Sequence, residues 1–333
     1  MLLSPPILAL LCCSMMVCGL TIAATAVGLS AVVGWSHLSS SRQQLLRERR
    51  WFLVEATLRL ILALQLFSVL VFVATADHIK SLLTGAMCAV GSLNASPFGV
   101  PALTAKITAF LLCGLWLVAD RATSAAAGTG LVRFKAAFLF VLTCVLVGDN
   151  VLQVRYFADL DPDIITSCCA TVFDPGAGGV GAGVASLPVG WSRLAFFGGL
   201  SVTLAVGVSS IVRHRPTYLY PLLSTVCGLV AVVAVITWIG PAFYELPTHH
   251  CPLCLLAAEY GYVGYPLYLF LATAVIAGAG SGLVRSLRPL DIHRTIRLDE
   301  ERRLCVASVM SFVALAAIAS WPLLMSPFRL EGY

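Results

Sequence analysis

The stretch Thr217-Tyr-Leu-Tyr-Pro-Leu-Leu-Ser-Thr-Val-Cys-Gly-Leu-Val-Ala-Val-Val-Ala-Val-Ile-Thr-Trp-Ile-Gly240 contains no charged side chain. A helix needs about 20 predominantly apolar residues to cross a hydrocarbon core about 30 Å thick, and this run is long enough to do so. Inside lipid every backbone N–H and C=O must be satisfied within the segment itself, which a helix achieves. Arg213 and Arg215 stand just before the run and a polar loop begins at Glu245, so the stretch is bounded by water-seeking residues on both sides.

The same pattern repeats along the chain. Apolar stretches fall at approximately 5–35, 51–76, 101–119, 134–155, 192–212, 217–240, 262–284 and 304–325. Composition agrees: 59% of the 333 residues are hydrophobic, 11% are charged and the mean hydropathy is +0.93. A soluble domain carries about a quarter charged residues, so a soluble reading is rejected. The expected fold is an all-α polytopic transmembrane bundle of about eight spans, forming one integral membrane domain over 1–333.

The net charge of +5 is dispersed among particular loops, which excludes a nucleic-acid-binding stripe. Arg42, Arg47, Arg49 and Arg50 form one basic group; Arg121, Arg133 and Lys135 a second; Arg213 and Arg215 a third; Arg285, Arg288, Arg294, Arg297, Arg302 and Arg303 a fourth. The positive-inside rule puts these segments on the cytoplasmic side. Connections 77–100, 156–191 and 241–261 are then outer loops, and both termini lie outside. Tryptophans favour membrane boundaries; Trp35, Trp51 and Trp116 fall near cytoplasmic span ends, and Trp191, Trp238 and Trp321 near outer ones. Gly278 and Gly282 have the spacing of small residues that let helices approach closely.

Cysteine placement points to the outer loops. Cys12, Cys13, Cys18, Cys113, Cys144, Cys227 and Cys305 lie in apolar spans, where cysteine behaves as a small hydrophobe. Cys88, Cys168, Cys169, Cys251 and Cys254 all lie in the outer connections, the side on which disulfides persist. Positions 88, 168 and 251 are nearly evenly spaced, which hints at a repeated hairpin unit.

The most specific segment is Glu245-Leu-Pro-Thr-His249-His250-Cys251-Pro252-Leu-Cys254. Two cysteines three apart at the start of an apolar helix meet at one helix end, where exposed N–H groups and protonated histidine stabilise a thiolate. Cys251 is then the expected exposed nucleophile and Cys254 the resolving thiol. This C-x-x-C hairpin resembles the disulfide-generating membrane oxidoreductases of the DsbB and vitamin K epoxide reductase type. The resemblance covers one hairpin. It implies a four-helix bundle, a bound quinone and a second cysteine pair in another outer loop, a part for which Cys168 and Cys169, with Cys88, are the candidates.

A different chemistry is open to the same residues. His249, His250, Cys251 and Cys254 offer imidazole and thiolate ligands suited to copper or zinc, with His78, Met87 and Cys88 as additions from another loop. A third reading is a non-catalytic subunit anchoring a larger membrane complex.

Asp149, Asn150 and Gln153 form a polar group near the outer end of the fourth span and are candidates for lining a quinone pocket or an ion path. Glu55 and Arg59, four apart, are expected to pair on one helix face. Asp159-Leu-Asp161-Pro-Asp163 lacks the glycine and terminal glutamate of a calcium loop. Gly176-Ala-Gly178-Gly-Val-Gly181 matches a nucleotide-binding spacing without a preceding strand, so nucleotide binding is rejected. Asn94-Ala-Ser96 is a formal glycosylation sequon followed by Pro97. The expected partners are the lipid bilayer and either an outer-compartment thiol protein or a membrane complex, with no nucleic acid. The expected location is a cell membrane of the bacterial inner-membrane kind.

Overall fold

The computed structural model describes residues 4–34, 41–83, 86, 88–123, 129–161, 173, 179–213, 218–287 and 294–326. Among these residues every regular element is helical and there is no strand. Eight long helices carry the fold: α1 Pro5–Gly34, α2 Arg42–Ile79, α3 Gly99–Thr123, α4 Thr129–Ala158, α5 Val189–Val212, α6 Leu219–Tyr244, α7 Gly264–Ser286 and α8 Arg294–Met325. Each is long and apolar enough to cross a membrane. Only 28% to 50% of the most apolar window of each span is buried. Leu60, Phe67, Leu229 and Leu269 are each more than 60% exposed, an arrangement that water disfavours and lipid tails satisfy.

Several helices outrun their apolar stretches. α2 begins at Arg42 rather than near 51, and α8 at Arg294 rather than near 304. Arg47, Arg49, Arg50, Arg297, Arg302 and Arg303 therefore lie on helices, not in loops. Helix propensity of the Arg-, Glu- and Leu-rich flanks carries the helix beyond the length set by hydropathy.

The chain divides into two compact units. The first comprises Met1–Ala76, Ala95–Pro162 and Leu283–Glu300. Here α1 and α3 pack along α4, around Leu58, Leu62, Ala109, Cys113, Trp116, Leu139 and Leu142. The expected Glu55–Arg59 pair is replaced by a network across three helices. Lys135 Nζ donates to Glu55 at 2.9 Å and to Asp120 at 2.9 Å, and Arg59 pairs with the other oxygen of Asp120. Lys135 is 4% exposed, so it belongs to the interior rather than to a solvated basic loop. Pairing across helices prevails because Asp120 supplies oxygens to two cations that one carboxylate on α2 could not serve.

The second unit comprises Asp77–Asn94, Asp163–Gly282 and Glu301–Tyr333. Its core gathers Phe196, Leu200, Ala231, Trp238, Leu267, Leu271, Phe312 and Leu315. A methyl group added at Gly278 would overlap Ser224 Oγ, and one at Gly282 would press on Pro221, so the glycine spacing does admit a close α6–α7 approach. Ser224 of α6 and Ser308 of α8 both donate to the carbonyl of Ala274 on α7.

The tryptophans divide. Trp191 and Trp321 are 73% and 58% exposed, as interfacial rings should be. Trp116 and Trp238 are 1% and 0% exposed and serve as core side chains. Their large apolar area is worth more inside the bundle than at its boundary. Trp51 also packs inward, against Ala31, Val132 and Ala136. Trp35 lies outside the described residues.

Candidate functional site: a three-cysteine cluster

The site begins with an irregularity in α6. After Ala234 the helix widens into a π turn over Val235–Ile239, in which the N–H of Gly240 reaches back to Val235 O. Continuing that pattern, the donor for Ile236 O would be the next residue, but Pro241 has no N–H. The stranded carbonyl is taken up by His250, whose Nδ1 lies 2.9 Å from it. A carbonyl oxygen only accepts, so Nδ1 carries the hydrogen, and in the neutral ring Nε2 holds the available lone pair. Proline in one helix thus fixes the tautomer of a histidine in the following loop.

The loop is held at two further points. Tyr244, on the last turn of α6, donates its hydroxyl to the carbonyl of Cys251 at 2.7 Å. Tyr268, on α7, donates to the carbonyl of Pro252. His249 sets its ring edge against Tyr244, with centroids 4.7 Å apart, and Tyr260 packs on Tyr244 at 4.4 Å.

Between these holds, Cys251 caps a 3₁₀ helix over Pro252–Leu256. The expectation that the cysteine pair opens a spanning helix is corrected here. A second 3₁₀ turn follows at Ala258–Tyr260, Gly261 and Tyr262 take positive φ values of 63° and 55°, and α7 starts only at Gly264. A left-handed pair of residues cannot continue a right-handed helix, so the apolar look of Leu255–Ala258 does not extend the span. The thiols consequently lack the N-terminus of a long helix. In a 3₁₀ turn side chains three apart stack on one side, which brings Cys251 and Cys254 together.

Cys88 arrives from the α2–α3 connection. α2 ends in a 3₁₀ turn at Lys80–Leu82, and a short helix at Ala89–Asn94 follows Cys88, whose carbonyl accepts from Ser92 N–H at 3.2 Å. The Sγ atoms of Cys88, Cys251 and Cys254 lie within 4.8 Å of one another. Cys88 is 8% and Cys251 1% exposed, while Cys254 is partly open, so the exposed thiol of the pair is Cys254 and not Cys251 as expected. Val90, Phe173, Ile236 and Leu253 line the cluster. Among the described residues, His249 and Lys80 interact electrostatically with the Cys88 thiol. Lys80 Nζ also bonds both carboxylate oxygens of Asp77, at 3.0 and 3.1 Å. Burial pushes the His249 imidazole below its ordinary value of 6.5, against the pull of the Cys88 thiol.

Of the five cysteines expected in outer loops, then, three come together. Cys168 and Cys169 lie outside the described residues, as does Met87. The imidazoles of His249 and His250 flank the three sulfurs without joining their 4.8 Å group, and His78 is exposed. Asp149 and Gln153 belong to the first unit: Asp149 accepts from Lys106 at 3.0 Å, and Gln153 exchanges hydrogen bonds with Ser14. Asn150 is half-buried and enters neither pairing. Sequence reasoning passed over Lys106, a lysine in the middle of a span and itself the available signal, and over Tyr244 and Tyr268.

Two thiolates on one zinc ion, at bonds of about 2.3 Å, sit at most about 4.6 Å apart. A disulfide needs its sulfurs at about 2.05 Å. The sulfurs of the trio all lie within 4.8 Å of one another, a bound close to the first distance and above the second. Fold and site together define a multi-pass helical membrane protein with a cysteine cluster in the connections between its helices. No protein-family model, curated protein or solved structure matches the chain.

Proposed function

We propose that this chain is a membrane thiol–disulfide oxidoreductase in which Cys88, Cys251 and Cys254 pass a disulfide among themselves. The observation that carries the reading is the convergence of Cys88 on the C-x-x-C pair, all three sulfurs lying within 4.8 Å. The apolar lining favours neutral species, and a disulfide beside a thiol is neutral. The Cys88 thiol gives its proton to the neutral His249 imidazole and, as a thiolate near Lys80, attacks one sulfur of a Cys251–Cys254 disulfide. That S–S bond breaks, a bond to Cys88 forms, and the departing sulfur leaves as a thiolate that takes up one proton. Two electrons and two protons enter from an outer-compartment thiol protein, by way of Cys168 and Cys169, and leave to a membrane quinone, which becomes a quinol.

Rapid thiol trapping in native membranes, with peptide mass spectrometry on Cys88, Cys168, Cys169, Cys251 and Cys254, tests this. The expected result is a disulfide within the trio that turns to thiols when quinone turnover is blocked. Thiols that stay reduced throughout and react only after chelation would overturn it.

That second outcome belongs to a soft-metal reading, favoured by the near-ligand spacing of the sulfurs and by the Nδ1–H···O=C bond of His250, the kind of bond that orients metal-binding imidazoles. It predicts stoichiometric copper or zinc in purified protein, lost in Cys251→Ser or Cys254→Ser.

A further inference from the structure

The first unit holds a second centre, independent of the thiols. Lys106 on α3 and Asp149 on α4 are 1% and 2% exposed, inside spanning helices, with Nζ 3.0 Å from Oδ2. The ammonium is fully engaged: its other contacts are Ser68 Oγ at 3.1 Å and the face of Phe72, 5.5 Å from the ring centroid. The carboxylate is not. Oδ2 takes Lys106 and, at 3.5 Å, Gln65 Nε2, while Oδ1 is buried and meets no donor among the described residues. A permanent buried ion pair repays its desolvation only when the remaining lone pairs are also satisfied. Here one oxygen of the pair is held open.

We propose that the Lys106–Asp149 pair is an intramembrane proton-exchange site, with Oδ1 of Asp149 as the atom that receives the proton. A metal cation at Oδ1 would add charge beside the ammonium, whereas a proton is balanced when Lys106 gives one up. The cycle closes with no other reactant. A proton arriving at Oδ1 forms the carboxylic acid, and Lys106 passes one N–H proton to Ser68 Oγ at 3.1 Å, whose hydroxyl proton leaves in turn. Rotation of the carboxyl group about its Cβ–Cγ bond brings the acid O–H round to Nζ, where its proton restores the ion pair. One proton passes for each cycle. The titratable groups facing Asp149 from its neighbours are Lys106 and the Cys113 thiol on α3 and the Cys18 thiol on α1; α2 contributes Gln65.

Infrared spectroscopy of the full chain in lipid bilayers provides the test, with and without carboxyl-¹³C aspartate, across the pH range where circular dichroism shows the helices intact. The expected result is a buried carboxylic-acid band that titrates reversibly, shifts with ¹³C and on H/D exchange, and disappears in Asp149→Asn. A wild-type spectrum without a titrating aspartic-acid band overturns the proposal, even where Asp149→Asn fails to fold. A band that survives in folded Asp149→Asn overturns it equally.

Discussion

In the first unit Lys106, Asp149, Lys135 and Asp120 are each 4% exposed or less and sit on long helices. In the second, the core around Phe196, Trp238 and Phe312 is apolar, and the clustered thiols occupy the connections. The difference separates two ways of placing chemistry in a bundle. Charges carried on helices are positioned by helix–helix packing, so the pairing and the packing stand or fall together. Sulfurs carried on turns are positioned by a few hydrogen bonds to backbone carbonyls, so geometry there can be lost with little loss of the fold.

Substitutions should divide along that line. The largest effect is expected for Lys106→Met, which leaves the Asp149 carboxylate buried without its cation. Breaking a buried pair on one side costs about 3–5 kcal/mol. Thermal unfolding in detergent should show it, and Lys106→Met with Asp149→Leu should recover most of the loss. A single variant as stable as wild type would mean that the first unit does not depend on its charges.

Next comes Tyr244→Phe, which strips the hydroxyl from the buried Cys251 carbonyl and is expected to cost about 1–3 kcal/mol. Its sharper readout is chemical: alkylation of Cys251 should accelerate as the turn loosens. Unchanged alkylation would show that the 3₁₀ turn holds itself.

Cys88→Ser, which sets a hydroxyl in the apolar lining, should move unfolding by about 1 kcal/mol while changing the trapping pattern, leaving a Cys251–Cys254 disulfide that no longer exchanges. Persistence of exchange without Cys88 would remove the relay from the second unit.

The smallest effect belongs to His249. Its folded value lies below 6.5, so the unfolded chain takes up its proton at a higher pH than the folded one does. Stability from this group is intact above about pH 6.5 and declines as the pH falls through the interval between 6.5 and the folded value. The ring is half-exposed, so the slope is shallow. Comparing unfolding midpoints of wild type and His249→Gln across that interval should show a slope that the variant lacks.

The eight spans were legible because hydropathy over about 20 residues is a local property of sequence. The choice of Cys251 and Cys254 over the span cysteines was legible for the same reason. Which cysteine would join them was not: Cys88 is separated from them by about half of the chain, and only folding brings the loops together. The turn around the pair was misread because Leu255–Ala258 is apolar, whereas the backbone reversal at Gly261 and Tyr262 is a matter of φ. The Glu55–Arg59 expectation failed because spacing along one helix says nothing of the better partners, Lys135 and Asp120, on its neighbours.

The widened turn at Val235–Ile239 holds one residue more than an α turn would. Removing a residue there would let the helix close into a regular spiral, and everything after it would swing about 100° and slide about 1.5 Å. Tyr244 would then face away from the Cys251 carbonyl, and the proline of Gly240-Pro241 would meet a different carbonyl. The spacing from the span to its cysteines is thus tuned by counting, and a single-codon deletion within the span would act as a switch on the site.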